Sequence, residues 1–230
     1  MRAVHRISRV CLIWVLLALT PLVTHATDFD RLTVISYHEI EEPSRALIPG
    51  YAVSPTMFVR HIDWLRNNGF VFVSVDQVLS ARSGGVPLPP KAVLLTFDDG
   101  YTSVYQHAWP LLKMLKIPSV ISVVTSWQES AGYVDYDGKP VPRDRFLSWE
   151  ALREMHSTGL VEIASHTHDL HHGLKANPQG SAQPAATARG FDQLRGYEAE
   201  TDYLKRIDAD LRLSRDLIRK RTGSAPRIVT

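Results

Sequence analysis

Two stretches of this sequence bring together residue types that do chemistry in company. The first is Lys91-Ala-Val-Leu-Leu-Thr-Phe-Asp98-Asp99-Gly100. Side-by-side carboxylates repel unless something positive lies between them, and a divalent cation meets that need best. A plain Asp-Asp-Gly turn, its acids bonded to the local backbone, is the competing reading. The second stretch is Val161-Glu-Ile-Ala-Ser165-His166-Thr-His168-Asp169-Leu-His171-His172, with four histidines in seven positions. Imidazole is a common ligand for transition metals, and a solvated His-rich loop is the bland alternative. Carboxylates from one stretch and imidazoles from the other make a donor set for a divalent metal. Three such ligands leave a position open for water and substrate, which is how a hydrolytic centre is built.

Both stretches read as short strands that break into polar residues. Residues 92–95 are apolar, too few for a helix, and bounded by Pro90 and Gly100. The rest of the chain alternates strand and helix signals. Residues 32–36 form a first strand ending at Tyr37-His38-Glu39, and Ser54-Pro55 opens a helix whose apolar face is Phe58, Ile62 and Leu65. A strand at 70–73, a helix at 76–81, a helix at 101–115 and a strand at 119–124 follow. Residues 126–145, with Trp127, Tyr133 and Tyr136, read as a long surface loop, and these rings and Tyr101 either stack on sugars or pack. Ser148 caps a helix over 149–157, and residues 177–188 read as a mobile excursion. A long helix spans 197–221 with Leu204, Ile207, Leu211, Leu217 and Ile218 inward, and 227–230 begins a sixth strand. Repeated βα units predict an α/β fold with a parallel sheet or barrel, its chemistry at the strand C-termini.

Residues 1–26 read as a signal peptide. Arg2, Arg6 and Arg9 precede an apolar run too short to span a bilayer, and Thr24-His-Ala26 supplies a cleavage site. The expected mature chain, 27–230, is exported to the periplasm with no stable membrane span. Its removal takes away three arginines, so the formal net charge of +2 becomes −1 and gives no case for nucleic-acid binding. The single cysteine, Cys11, leaves with the signal, which excludes a disulfide framework and thiol chemistry. About 200 residues remain, enough for one domain with a sizeable core.

Thr96-Phe-Asp98-Asp99-Gly100, with Ser165-His166-Thr167 downstream, resembles the paired motifs of the polysaccharide deacetylase (NodB-homology) family. The resemblance covers residues 32–230 and implies a deformed (β/α) barrel and a metal-dependent hydrolase that removes acetyl groups from sugars. Many members carry the second metal histidine four residues after the first; here that position is Leu170, and the histidine is His171. This spacing, with Tyr37-His38 on the first strand, is similar to the poly-β-1,6-N-acetylglucosamine deacetylase branch, whose barrel is circularly permuted. Residue by residue, the resemblance implies Asp98 as general base, Asp99, His166 and His171 as metal ligands, and His38 as general acid. Glu39 and Glu41 are expected to keep His38 charged. Zinc is the implied ion, and Co²⁺, Ni²⁺ or Fe²⁺ would suit the same donors. His168 and His172, four apart, form an alternative ligand pair, and spacing alone leaves the exchange of His171 for His172 open.

The implied substrate is an exported N-acetylglucosamine polymer of biofilms, with a polysaccharide export machinery as a further partner. A peptidoglycan or chitin-oligomer deacetylase and a non-catalytic carbohydrate-binding domain are the alternatives. The chain stops inside its sixth strand, ahead of the family's Pro-Tyr/Phe-Gly-type motif. It therefore reads as a fragment, its barrel incomplete at the C-terminus.

Overall fold

Six successive residues, Ala-Val-Leu-Leu-Thr-Phe, leave a strand with no polar face to offer water, so it must be covered on both sides. In the computed structural model, which describes residues 31–230, all six are buried. The expected signal segment and its cleavage site lie outside the described residues. In chain order the elements are β1 (Leu32–Tyr37), α1 (Pro55–Asn67), β2 (Val71–Phe72), α2 (Val75–Arg82), β3 (Ala92–Phe97), α3 (Trp109–Leu115) and β4 (Ser119–Val123). There follow α4 (Thr125–Glu129), β5 (Tyr133–Tyr136), β6 (Lys139–Pro142), α5 (Trp149–Ser157) and β7 (Val161–Ser165). Last come β8 (Gly173–Lys175), β9 (Ala182–Pro184), β10 (Phe191–Asp192), β11 (Gly196–Tyr197) and α6 (Glu200–Thr222).

Strands β1, β3, β4 and β7 lie side by side in that order, all parallel, and β2 pairs with the start of β3. Parallel neighbours need a crossover, and the helices between them provide it. The register matters for function. Tyr37 pairs with Phe97 and Val123 with Ser165, so adjacent strands end level. Asp98 N donates to Tyr37 O (2.9 Å) and His166 N to Val123 O (2.9 Å), which carries the pairing one residue past each strand. Beneath this edge Tyr37 packs edge-on against Phe58 (5.3 Å) and stacks on Phe97 (5.7 Å). Truncating such a ring to Ala costs about 3–5 kcal/mol, so the strand ends rest on a firm floor.

Local signals start the helices. Ser54 accepts Met57 N with Pro55 in the first turn, Ser74 and Gln77 form a capping box, and Ser148 accepts Ala151 N. Helix α6 has no side-chain cap but carries Glu200 and Asp202 at its start and Arg219 to Arg221 at its end, matching the helix dipole.

Five expectations need adjustment. The helix expected over 101–115 runs from residue 102 to 115 but carries a π turn, Val104–Ala108, ahead of α3. Pro110 has no N–H for a regular ladder, and the wider turn before it absorbs the gap. Residues 126–145 hold α4 and the β5–β6 hairpin, and 177–188 hold half of the β8–β9 hairpin. In α6 only Ser214 and Ile218 are buried, and Leu204 faces outward at 55% exposure. The segment 227–230 pairs with β7 through a single parallel bridge, Ser165 to Val229, and not through a full strand. No helix among the described residues is long and apolar enough to cross a membrane.

Candidate metal centre

Level strand ends deliver the chemistry to one place. Asp98 and Asp99 follow β3, and His166 follows β7. His38 follows β1, and His171 lies on the loop beyond His166. Asp99 and Gly100 sit at φ +69° and +68°. Asp tolerates that left-handed region, and Gly100 needs it twice over, because a Cβ there would meet Val123 Cγ1 at 2.9 Å. The tight turn sends the Asp99 side chain back under the sheet edge, where it is 1% exposed.

Asp99, His166 and His171 each offer a ligand atom within 4.8 Å of the others. The Nε2 atoms of His166 and His171 lie 3.3 and 3.2 Å from Asp99 Oδ1. Ligands about 2.1 Å from a tetrahedral ion stand about 3.4 Å apart, so these separations fit zinc. They do not mark hydrogen bonds: both Asp99 oxygens are buried with no hydrogen-bond partner, and so is Asp98 Oδ1. Buried carboxylate oxygens normally find donors, and three orphans at one spot call for a cation. The tautomer agrees. His166 Nδ1 lies 2.8 Å from the Thr230 carbonyl, which can only accept, so Nδ1 carries the proton and Nε2 presents a lone pair. The donor set fits a divalent metal.

Electrostatics follow the geometry. Burial pushes the Asp99 carboxyl up, but His166, His171 and His38 outweigh it and hold Asp99 below the usual carboxylate range. Burial pulls His166 down, while Asp99 and Asp98 more than reverse that and raise it. His171 is lowered, because burial there exceeds the pull of Asp99.

Asp98 stands apart from the donors. Its Oδ2 accepts Ser36 Oγ at 2.6 Å, while Oδ1 is buried without a partner. His38 is half-buried and stacks on Tyr51 (5.3 Å between rings). Its two acidic neighbours do not serve it. Glu39 is tied to Arg145 and to the amides of Leu47 and Ile48, and Glu41 faces Arg45 (3.4 Å) and His107 (4.0 Å). Buried carboxylates must find partners, and the loop after β1 supplies them together with Arg145 and His107. His168 and His172 are not in the donor cluster: His168 Nδ1 bonds Thr125 Oγ1 (2.9 Å) and His172 Nδ1 lies 3.1 Å from Gly173 O.

The aromatic residues divide. Tyr101 is buried against Phe146, while Trp127 and Tyr136 wall a cleft of about 560 Å³ with Ile48, Leu170 and Pro184. Burial, opposed by the Tyr101 hydroxyl, pushes Tyr136 up to about 12, so it keeps its proton. Two residues went unread in the sequence. Tyr51 is 62% exposed over His38, and its place in a Pro-Gly-Tyr turn gave only a loop signal. Asp210 of α6 accepts the N–H groups of His168 and Asp169. Its signal was an acid beside Leu211 on the inward side of an amphipathic helix.

Fold and site together define an α/β protein with a two-histidine, one-carboxylate centre at the C-terminal edge of a parallel sheet. The sequence model described as polysaccharide deacetylase matches residues 85–230, and the chain belongs to that family. It is similar to the poly-beta-1,6-N-acetyl-D-glucosamine N-deacetylase of Escherichia coli K12, at 36% identity over 203 residues. That match covers 86% of this chain and 30% of the relative, so the chain spans under a third of that relative's length. Among solved structures, the de-N-acetylase from Aggregatibacter actinomycetemcomitans matches with a TM-score of 0.80 at 38% identity, over 87% of this chain and 78% of that one. The BpsB deacetylase domain from Bordetella bronchiseptica matches with a TM-score of 0.75 at 41% identity, over 86% and 78%.

Proposed function

We propose that the protein is a metal-dependent polysaccharide N-deacetylase acting on poly-β-1,6-N-acetylglucosamine. The observation that carries this reading is Asp99, buried with both oxygens unpartnered and two imidazole nitrogens 3.2 and 3.3 Å from one of them. The substrate is supported by the activity for which the Escherichia coli relative is named. The same reading takes the sheet as part of a circularly permuted (β/α) barrel, supported by the parallel register of β1 with β3 up to Tyr37 and Phe97, the residues just before His38 and Asp98. It takes residues 27–230 as the deacetylase domain of an exported, periplasmic protein.

Asp99, His166 and His171 would hold the cation, which when bound supplies a Lewis acid that acidifies water and polarises an acyl oxygen. Asp98, pinned by Ser36, presents Oδ1 to take the proton of the attacking water as its hydroxyl joins the acetyl carbon. An amide nitrogen is a poor leaving anion. Protonated His38 gives it a proton as the carbon–nitrogen bond breaks, and amine and acetate depart. Solvent then resets both groups. The apolar wall of Trp127, Leu170 and Pro184 suits the face of a sugar ring and its acetyl methyl.

Acetate release from defined β-1,6 and β-1,4 N-acetylglucosamine oligomers tests the substrate, with preference for the β-1,6 series expected. Variants test the roles. Asp98→Asn should keep its metal yet lose turnover by about 10²–10⁴-fold on any acetyl substrate. His38→Ala should lose far more on the amide than on an activated aryl acetate, whose leaving group departs unaided. Equal losses on both would remove His38 from the acid's role.

A further inference from the structure

The loop from His166 to His171 leaves β7 through Thr167 at φ +70°. A β-branched residue enters that region only when its surroundings force it. On one side Thr125 N donates to Thr167 O (3.2 Å) and Ser126 N to His168 O (3.0 Å). On the other side stands α6. The two carboxylate oxygens of Asp210 accept the consecutive N–H groups of His168 and Asp169, each at 2.7 Å. One turn along, Ser214 bonds Ser165 (2.6 Å), whose hydroxyl also accepts Thr167 N (3.1 Å). Residues four apart share a helix face, so Asp210, Ser214 and Ile218 form one stripe against the sheet edge.

Asp210 belongs neither to the donor cluster nor to the cleft wall. We propose that Asp210 is a positioning residue, which fixes residues 168–169 so that His166 and His171 turn their Nε2 atoms toward Asp99 before any ion arrives. The proposal rests on the metal assignment above. Two adjacent N–H donors need two acceptors, and both bonds are strengthened by the carboxylate charge. Asparagine would offer one acceptor and turn its own N–H₂ against the second donor. The loop would then settle elsewhere, and the two imidazoles with it.

Zinc affinity, read by competition with a chromophoric chelator, tests this directly. Asp210→Asn should weaken zinc by about 10–100-fold, the usual range for contacts that orient metal ligands. It should lower kcat while KM stays within about twofold, because Asp210 does not line the cleft. Wild-type zinc affinity in the variant overturns the proposal. Should the variant not fold, amide exchange on the metal-free wild-type chain decides: His168 and Asp169 amides are expected to be protected, and free exchange at both overturns preorganisation. If the wild-type chain itself binds no zinc, the metal assignment falls and takes this proposal with it. If wild type and Asp210→Asn bind equally, only the role of Asp210 falls.

Discussion

The two ends of the same sheet treat charge in opposite ways. At the N-terminal edge Arg227 lies between Glu162 and Asp76, with Nε and Nη2 2.9 and 2.8 Å from the two Glu162 oxygens. At the C-terminal edge three carboxylate oxygens of Asp98 and Asp99 are buried without a donor. Asp99 and Thr167 are also held left-handed there, but Lys91 and Lys116 are left-handed at the N-terminal edge, so the contrast is one of charge. Each such feature costs on the order of 1–3 kcal/mol. A region that loses stability from within the chain and is still held rigid is built to meet something from outside it. The paired edge stabilises the fold; the unpaired edge is where the proposed function puts a cation and a substrate.

Asp99→Asn should break that contrast most completely. Asparagine tolerates φ near +69°, so the turn survives, but the charged donor is gone and zinc binding should fall below detection. The metal-free chain, melted well above the His166 pKa, should gain about 1–3 kcal/mol, because a buried unpartnered charge has been removed. A loss of that size would make Asp99 a stability element and erase the difference between the two edges.

Acid sharpens the comparison with a smaller effect. His166 has its pKa raised above 6.5 in the folded chain, so its contribution is fully present below 6.5 and is lost as pH climbs through the raised value. His171 is depressed, so its contribution is present above 6.5 and is lost as pH falls through its lowered value. Together they set a stability maximum for the metal-free chain near pH 6.5, with Asp99 ionised throughout. Zinc needs both rings neutral, so the melting increment it confers should grow with pH, reaching about 2.7 kcal/mol at a hundredfold excess over Kd. Melts with and without zinc sulfate would measure it. An increment flat in pH would mean that no imidazole gives up a proton on binding.

What the sequence disclosed divides along similar lines. Strand β3 was legible because both faces are covered and its apolar run, residues 92–95, is continuous; β4 and β7 were legible because short β-branched, mostly apolar segments stand between turn or polar residues. The capped starts of α1 and α5 were legible because Ser54 and Ser148 carry a local hydrogen-bond signal. Asp99, His166 and His171 were legible only through the resemblance, since spacing left His172 as a rival until the loop's path was seen. Residues whose roles depend on distant partners stayed hidden. Nothing near Glu39 announces Arg145, more than a hundred positions away, and nothing near Asp210 announces the amides of His168 and Asp169. The hairpins β5–β6 and β8–β9 were missed because Gly and Pro mark turns without saying which short segments pair across them.

Arg227→Gln, at the satisfied edge, should have the smallest effect. Its side chain is 42% exposed and Asp76 is 77% exposed, so solvent already screens that pair. Glu162 is better buried, at 14%, but enough water reaches it to avoid a stranded charge when the guanidinium goes. Exposed pairs of this kind are worth about 0–1 kcal/mol, and a urea melt should move by no more than that. The more telling measurement is zinc affinity. Arg227 opens the segment that ends at Thr230, the acceptor that sets the His166 tautomer. Yet the segment has its own attachment, through Ser165 N to Ile228 O and Thr230 N to Ser165 O, both 3.0 Å. Those two backbone bonds sit between Arg227 and the site and survive the substitution, so zinc affinity should stay within about threefold of wild type. A tenfold loss would mean that the ion pair reaches the metal through 228–230, and the two edges would then have to be treated as one coupled unit.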